Sequence, residues 1–245
     1  MKKLLLLPCI LFFITQISAQ DKNIPAYKKS FVIKWSPASL YAGKIGVGME
    51  INLSPKSSFT IVGGIPAEKN MTINVDNKDR VLTTKTYSIM AGYRFYLGKK
   101  ALHGLYAEPY VKCLDNKTYS QTDFTIGDGS HAFMVSSTYH GAGVGAQLGF
   151  QCMIAKRVVV DWYFLGPELN SSCYEMVAQQ TDESTAWDPA TAADAQSQVS
   201  DFVKNIPLLG HKTTIETDAE NRNIKARYEG LLPGFRFGVS LGVRF

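Results

Sequence analysis

Apolar and polar residues alternate with period two along much of the chain, the pattern of half-buried β-strands, and the alternation falls into eight segments separated by turn chemistry. Phe31, Ile33 and Trp35 oppose Lys34 and Ser36; Ile45, Val47, Met49, Ile51 and Leu53 oppose Gly46, Gly48, Glu50 and Asn52. After the Ser54-Pro55-Lys56-Ser57 turn, Phe59, Ile61 and Ile65 give a third apolar face. Tyr87, Ile89, Ala91, Tyr93, Phe95 and Leu97 give a fourth, opposite Ser88, Gly92, Arg94 and Tyr96. A fifth segment, 105–114, sets Ala107, Val111 and Cys113 against Glu108, Tyr110 and Lys112, with Pro109 weakening it. The sixth, 139–154, has a face made almost wholly of glycine, and the seventh sets Val158, Val160, Trp162 and Phe164 against Val159, Asp161 and Tyr163. In the last, Phe235, Phe237, Val239, Leu241, Val243 and Phe245 oppose Arg236, Gly238, Ser240, Gly242 and Arg244.

The fold class this predicts is all-β. No run after residue 19 reaches the roughly eighteen apolar residues of a spanning helix, so a membrane could be crossed here only by strands. An even number of antiparallel strands can close into a barrel, the one sheet that leaves no unpaired backbone edge in lipid. The expected architecture is a closed eight-stranded antiparallel transmembrane β-barrel. Its connections near 54–57, 98–104 and 155–156 are short and lie at one end. Those near 41–43, 67–83, 115–133 and 169–226 lie at the other, and all but the first are long, the asymmetry of outer-membrane barrels. The rival is a secreted or periplasmic lipocalin-like binding protein, whose apolar faces would point inward.

The first residues bear on compartment. Met1-Lys2-Lys3 is a basic start, 4–14 is an apolar core, and Ile17-Ser18-Ala19 before Gln20 reads as a cleavage site. Residues 1–19 are therefore expected to be a signal peptide, with 20–245 the barrel domain. The net charge of +5 is then reduced to +3 by loss of Lys2 and Lys3, too small an excess to suggest a nucleic-acid partner. With 45% hydrophobic residues the chain is a folded protein rather than a disordered one. Cys113, Cys152 and Cys173 make a poor disulfide framework, and four scattered histidines give no metal case. Neither a metal nor a cofactor is expected.

The signal, the alternating segments and the closing 234–245 stretch, Gly-Phe-Arg-Phe-Gly-Val-Ser-Leu-Gly-Val-Arg-Phe, resemble small outer-membrane β-barrel proteins of Gram-negative bacteria. More narrowly, Lys34-Trp35-Ser36-Pro37-Ala38-Ser39-Leu40, Gly46-Val47-Gly48-Met49-Glu50 and Leu53-Ser54-Pro55-Lys56-Ser57-Ser58 are similar to an uncharacterised barrel family common in Bacteroidetes. The resemblance implies an outer-membrane location. It also implies insertion by the barrel-assembly machinery, which reads the terminal strand, here Phe235, Phe237, Val239, Leu241, Val243 and Phe245. It carries no activity.

An eight-stranded barrel has an interior only wide enough for side chains. The inward set holds Lys34, Arg94, Lys112, Arg236 and Arg244 with Glu50, Glu108 and Asp161, and buried charges need partners, so a salt-bridge network that plugs the lumen is expected. In the 169–226 connection, Asp188-Pro189 can start a helix that carries Val199, Phe202 and Ile206 at helical spacing. This helix is either a surface platform for an extracellular protein or glycan ligand, or a lid over the barrel mouth. Ser136, His140 and Glu168 share outward parity and are the residues a lipid-modifying enzyme would use. Counting up from the 155–156 turn puts His140 roughly 35 Å high, above a ~25 Å apolar band, so no catalytic residues are assigned. Trp35, Tyr41, Tyr87, Tyr106, Tyr139 and Trp162 read as interfacial girdles. Lys69, Lys78, Arg80, Lys85 and Lys117 read as contacts to outer-membrane lipids and lipopolysaccharide. The overall expectation is a non-enzymatic protein with a structural or surface-interaction role.

Overall fold

The computed structural model describes residues 29–245 except 76–77, 99, 127–128, 182–185 and 205–211, with side chains at these positions except 73–75, 78–80, 124–126, 130 and 201–204. Among the described residues, ten strands form one antiparallel sheet: β1 (Phe31–Ser36), β2 (Lys44–Ser54), β3 (Ser57–Pro66), β4 (Lys69–Val75), β5 (Lys78–Tyr96), β6 (Gly104–Ile126), β7 (Gly129–Ile154), β8 (Val158–Gln180), β9 (Thr213–Asp218) and β10 (Asn223–Arg244). A 3-10 turn, Pro37–Ala42, joins β1 to β2, and an α-helix, α1 (Pro189–Lys204), stands between β8 and β9.

Eight of these strands make a ring in the order β1, β2, β3, β5, β6, β7, β8, β10, closed by β1 on β10 from Val32↔Arg244 to Trp35↔Leu241. The backbones of Phe31 and Phe245 also bond to each other in both directions, at 3.3 and 2.9 Å. β4 runs along β5 beyond the end of β3, and β9 runs along β10 beyond the end of β1.

The period-two pattern becomes two faces of opposite character. Outside, Phe237 is 74% exposed and Leu97 70%, and Ile33, Ile89, Val144, Phe150, Trp162, Leu241 and Val243 are exposed with them. Inside, Glu50, Glu108 and Gln151 are 0% exposed and Asp161 1%. The wall is thus apolar without and charged within, the reverse of a lipocalin-like binder.

The upper connections differ from expectation. The stretches 67–83 and 115–133 are mostly strand, continued by β4, β5, β6 and β7. β8 runs on to Gln180 and β10 begins at Asn223, so the long connection shrinks from 169–226 to 181–222 and itself contains α1 and β9. β7, at 26 residues, spans roughly 60 Å at a ~45° tilt, far more than a ~25 Å apolar band. Above that band the outer face of a strand no longer meets hydrocarbon, so Thr118, Tyr119, Ser120 and Gln121 on β6 extend the ladder without any apolar alternation to announce it.

Candidate functional site in the barrel lumen

Each ring strand except β10 supplies an acid, base, amide or hydroxyl to one layer near the closed end. Lys34 of β1 reaches Glu50 of β2 at 2.5 Å and Asp161 of β8 at 2.6 Å. Arg94 of β5 reaches Glu108 of β6 and Asp161, each at 2.7 Å, and its guanidinium lies 4.1 Å over the Tyr106 ring. Gln151 of β7 accepts from Arg94 at 2.7 Å and from Lys34 at 2.9 Å, and Gln147 donates to Glu108 at 2.6 Å. Tyr96 donates to Glu50 at 2.5 Å and Tyr106 to Asp161 at 2.6 Å. Ser58 and Thr60 of β3 donate to Glu50 and Glu108. Two cations thus meet three carboxylates, and every carboxylate also accepts a neutral hydrogen bond, which offsets the desolvation of a buried ion.

Room for the tyrosines comes from the glycine face of β7. A Cβ on Gly149 would stand 2.3 Å from the Tyr106 hydroxyl, and one on Gly145 would stand 2.6 Å from the Tyr110 ring.

Higher in the lumen a second, separate set appears. Lys112 pairs with Glu168, which also accepts from Tyr110 at 2.9 Å. Arg236 packs over the Tyr163 and Tyr110 rings at 4.7 and 5.5 Å, against the Met90 sulfur, and takes no part in the lower network. Lys44 donates to Ser88 at 2.9 Å.

The structure therefore brings Lys34, Glu50, Arg94, Glu108 and Asp161 together, and sets Lys112 and Arg236 apart from them. Arg244 stands apart as well, at the closed end, 3.6 Å from the Met153 sulfur. The sequence reading missed Glu168, because Phe164 and Leu165 are both exposed and the register of β8 slips there against β7. That one-residue bulge reverses parity for everything above it and turns Glu168 inward. The supposed Ser136, His140, Glu168 trio is dissolved by the same slip: Glu168 lies within the lumen, and His140, outside, is bonded by Asp115. Tyr106 and Tyr139 leave the girdle too, since Tyr106 is fully buried and Tyr139 bonds Ser172 at 2.8 Å. Trp35, Tyr41, Tyr87 and Trp162 stay exposed outside.

No protein-family model matches the chain, and no curated protein does. Among solved structures the chain is similar to CarO of Acinetobacter baumannii, at 11% identity and a TM-score of 0.38 over 92% of this chain and 99% of that one. It is also similar to a major outer membrane protein of Thermus thermophilus, at 10% identity and a TM-score of 0.39 over 89% of this chain and all of the other. At scores this low, the strand register rather than the likeness carries the barrel assignment.

The open end is covered. Asp188 caps α1, accepting from the Ala190 and Thr191 amides at 2.9 and 3.1 Å and from the Thr191 hydroxyl at 2.6 Å. These bonds, the hydroxyl's first, hold its carboxyl below the usual aspartate range. Ala195 and Val199 of α1 then bury against Phe133, Met176, Ala178, Trp187, Ile224 and Ala226. Val199 therefore faces the mouth; the side chain of Phe202 and the whole of Ile206 lie outside the described residues. Lys85 meets Glu68 at 3.1 Å and Lys69 lies 5.9 Å from the Tyr41 ring, while the side chains of Lys78 and Arg80 are also outside the described set.

Proposed function

We propose that the protein is a non-enzymatic barrel of the outer membrane, exported with a cleaved signal peptide and acting in a structural or surface-interaction role with its lumen plugged. The observation that carries this reading is the reversed polarity of the wall, apolar outside and ion-paired inside. Only lipid makes an exterior of that kind favourable, because exposed apolar area costs about 25 cal/mol per Å² in water. The lower ionic layer and the packed α1 lid support axial closure, so passage of large solutes is not its role. The terminal aromatic strand ending at Phe245 supports insertion by the barrel-assembly machinery, and the motifs around Lys34 and Glu50 support a place among Bacteroidetes-type barrels. Lys69, Lys85 and Lys117 suit lipopolysaccharide phosphates, and the solvent side of α1 with the projecting strands offers a surface for an extracellular protein or glycan.

Planar-bilayer conductance tests the plug. The purified full chain is expected to give no porin-sized steps; large, stable steps would contradict it.

A further inference from the structure

The barrel wall is not paired all round. β1 ends at Ser36, so its ladder with β10 stops at Trp35↔Leu241, and β10 next finds a partner on that side at Tyr228, opposite Thr213 of β9. Between them the edge from Glu229 to Ser240 has no strand partner on that side among the described residues, although its other side remains paired with β8. Twelve residues at ~3.3 Å make an unpaired edge of roughly 40 Å. The Pro37–Ala42 turn approaches part of it. Higher up, among the described residues, β4 pairs only with β5 and β9 only with β10, so the slot continues to the outer end.

Behind the slot the lumen is basic. Arg236 projects inward from this same edge, and Lys44 shares its stretch of lumen with Arg236, Lys112 and Glu168. Glu168 is already engaged by Lys112, Tyr110 and Asn170. Three cations therefore share one carboxylate, whereas the layer beneath has carboxylates in excess. Among the described residues, neither Arg236 nor Lys44 has a carboxylate within ion-pair distance. Arg236 and Lys44 are each half-buried, so they give up part of their hydration with no counter-charge in return, and an oxyanion would serve both at once, with the guanidinium offering paired donors.

Leu231, Phe235 and Phe237 on the edge, with Leu40 and Tyr41 across from it, are exposed apolar residues. The ionic layer closes the lumen below and α1 covers it above, so the side is the open approach. We propose that this slot admits a single-chain amphiphile from the outer leaflet, its alkyl chain along Leu231, Phe235 and Phe237 and its oxyanion head between Arg236 and Lys44. A β-strand from a second copy suits the edge less well, because Pro233 has no N–H to give to a ladder, and Gly230 and Gly234 weaken strand pairing. The inference rests on the membrane-barrel reading.

The test uses the full chain in phosphatidylcholine nanodiscs, with hexadecyl phosphate and palmitate as probes, hexadecyltrimethylammonium as the cationic control and inorganic phosphate as the free anion. One equivalent of each anionic amphiphile is expected to bind saturably. Arg236→Gln and Lys44→Gln should each weaken binding about tenfold or more, while Arg236→Lys retains part of it. A variant whose unboiled band runs level with its boiled band has failed to fold, and the two substitutions lie outside the ionic layer that closes the barrel. The proposal is overturned by absence of saturable binding to folded protein, by unchanged affinity in both Gln variants, by equal competition from inorganic phosphate, or by dimers cross-linked through the β10 edge. Failure of the chain to enter nanodiscs would instead overturn the membrane reading beneath it.

Discussion

Arg94 shows what a single residue does in this molecule. Its guanidinium is 2.7 Å from both Glu108 and Asp161 and only 4% of the side chain is exposed, so Arg94→Met leaves two carboxylates buried without their main counter-charge. The expected loss is about 3–5 kcal/mol, read as a fall in the urea midpoint of the reconstituted barrel; a midpoint within error of wild type would show that water already reaches the layer. Lys34, Glu50, Glu108 and Asp161 were legible in the sequence because each is a charge on the face opposite a regular apolar one, and so falls on the predicted inner face. Glu168 was not, since the bulge that reverses its parity is written only as two consecutive apolar residues, Phe164 and Leu165, which any strand tolerates. Tyr96, Tyr106, Gln147 and Gln151 complete the layer, but uncharged side chains on an inner face carry no signal of which ion they will meet. Asp188 gives a pH prediction at this scale. Its carboxyl titrates below the ordinary aspartate value of about 3.9, so its contribution to α1 is complete above that value and is lost as pH falls through the lower, folded-state value. Protection of the 189–204 amides, taken relative to intrinsic exchange at each pH, is expected to fall on acidification below pH 4, and Asp188→Asn should remove that fall.

Among the elements, α1 was readable from Asp188-Pro189 at its start and from the spacing of Val199 and Phe202, but not its destination, because the same apolar stripe would serve a platform or a lid. Burial of Val199 at 4% against Phe133 and Trp187 makes it a lid. Val199→Asp places a charge in that cluster at a cost of several kcal/mol. Limited proteolysis of folded protein should then cut the 181–222 connection while the ring stays intact; protection equal to wild type would mean that the helix is held elsewhere. The strand extensions above the apolar band escaped the sequence for a different reason. Period two is visible only where one face is apolar and the other polar, and Thr83, Thr118 and Thr138 stand where polar residues occupy both faces of the ladder.

For the whole molecule, the ring, its handedness of burial and the asymmetry of its ends follow from one requirement, that greasy side chains meet acyl tails and charges meet each other. The short β1 and the projecting sheet leave a lateral slot in the wall of a barrel that carries an ionic layer across its lumen and a helix over its mouth. Trp35 and Trp162 lie exposed on the outer wall, whereas Trp187 is 8% exposed under the lid. Fluorescence of the reconstituted full chain, with Trp187→Phe to isolate the outer pair, is expected to be strongly quenched by lipids brominated along their acyl chains. In a variant keeping only Trp187 the same lipids should quench little. Quenching of Trp187 with none at Trp35 and Trp162 would mean that the apolar wall does not face lipid, and would contradict the account at its root.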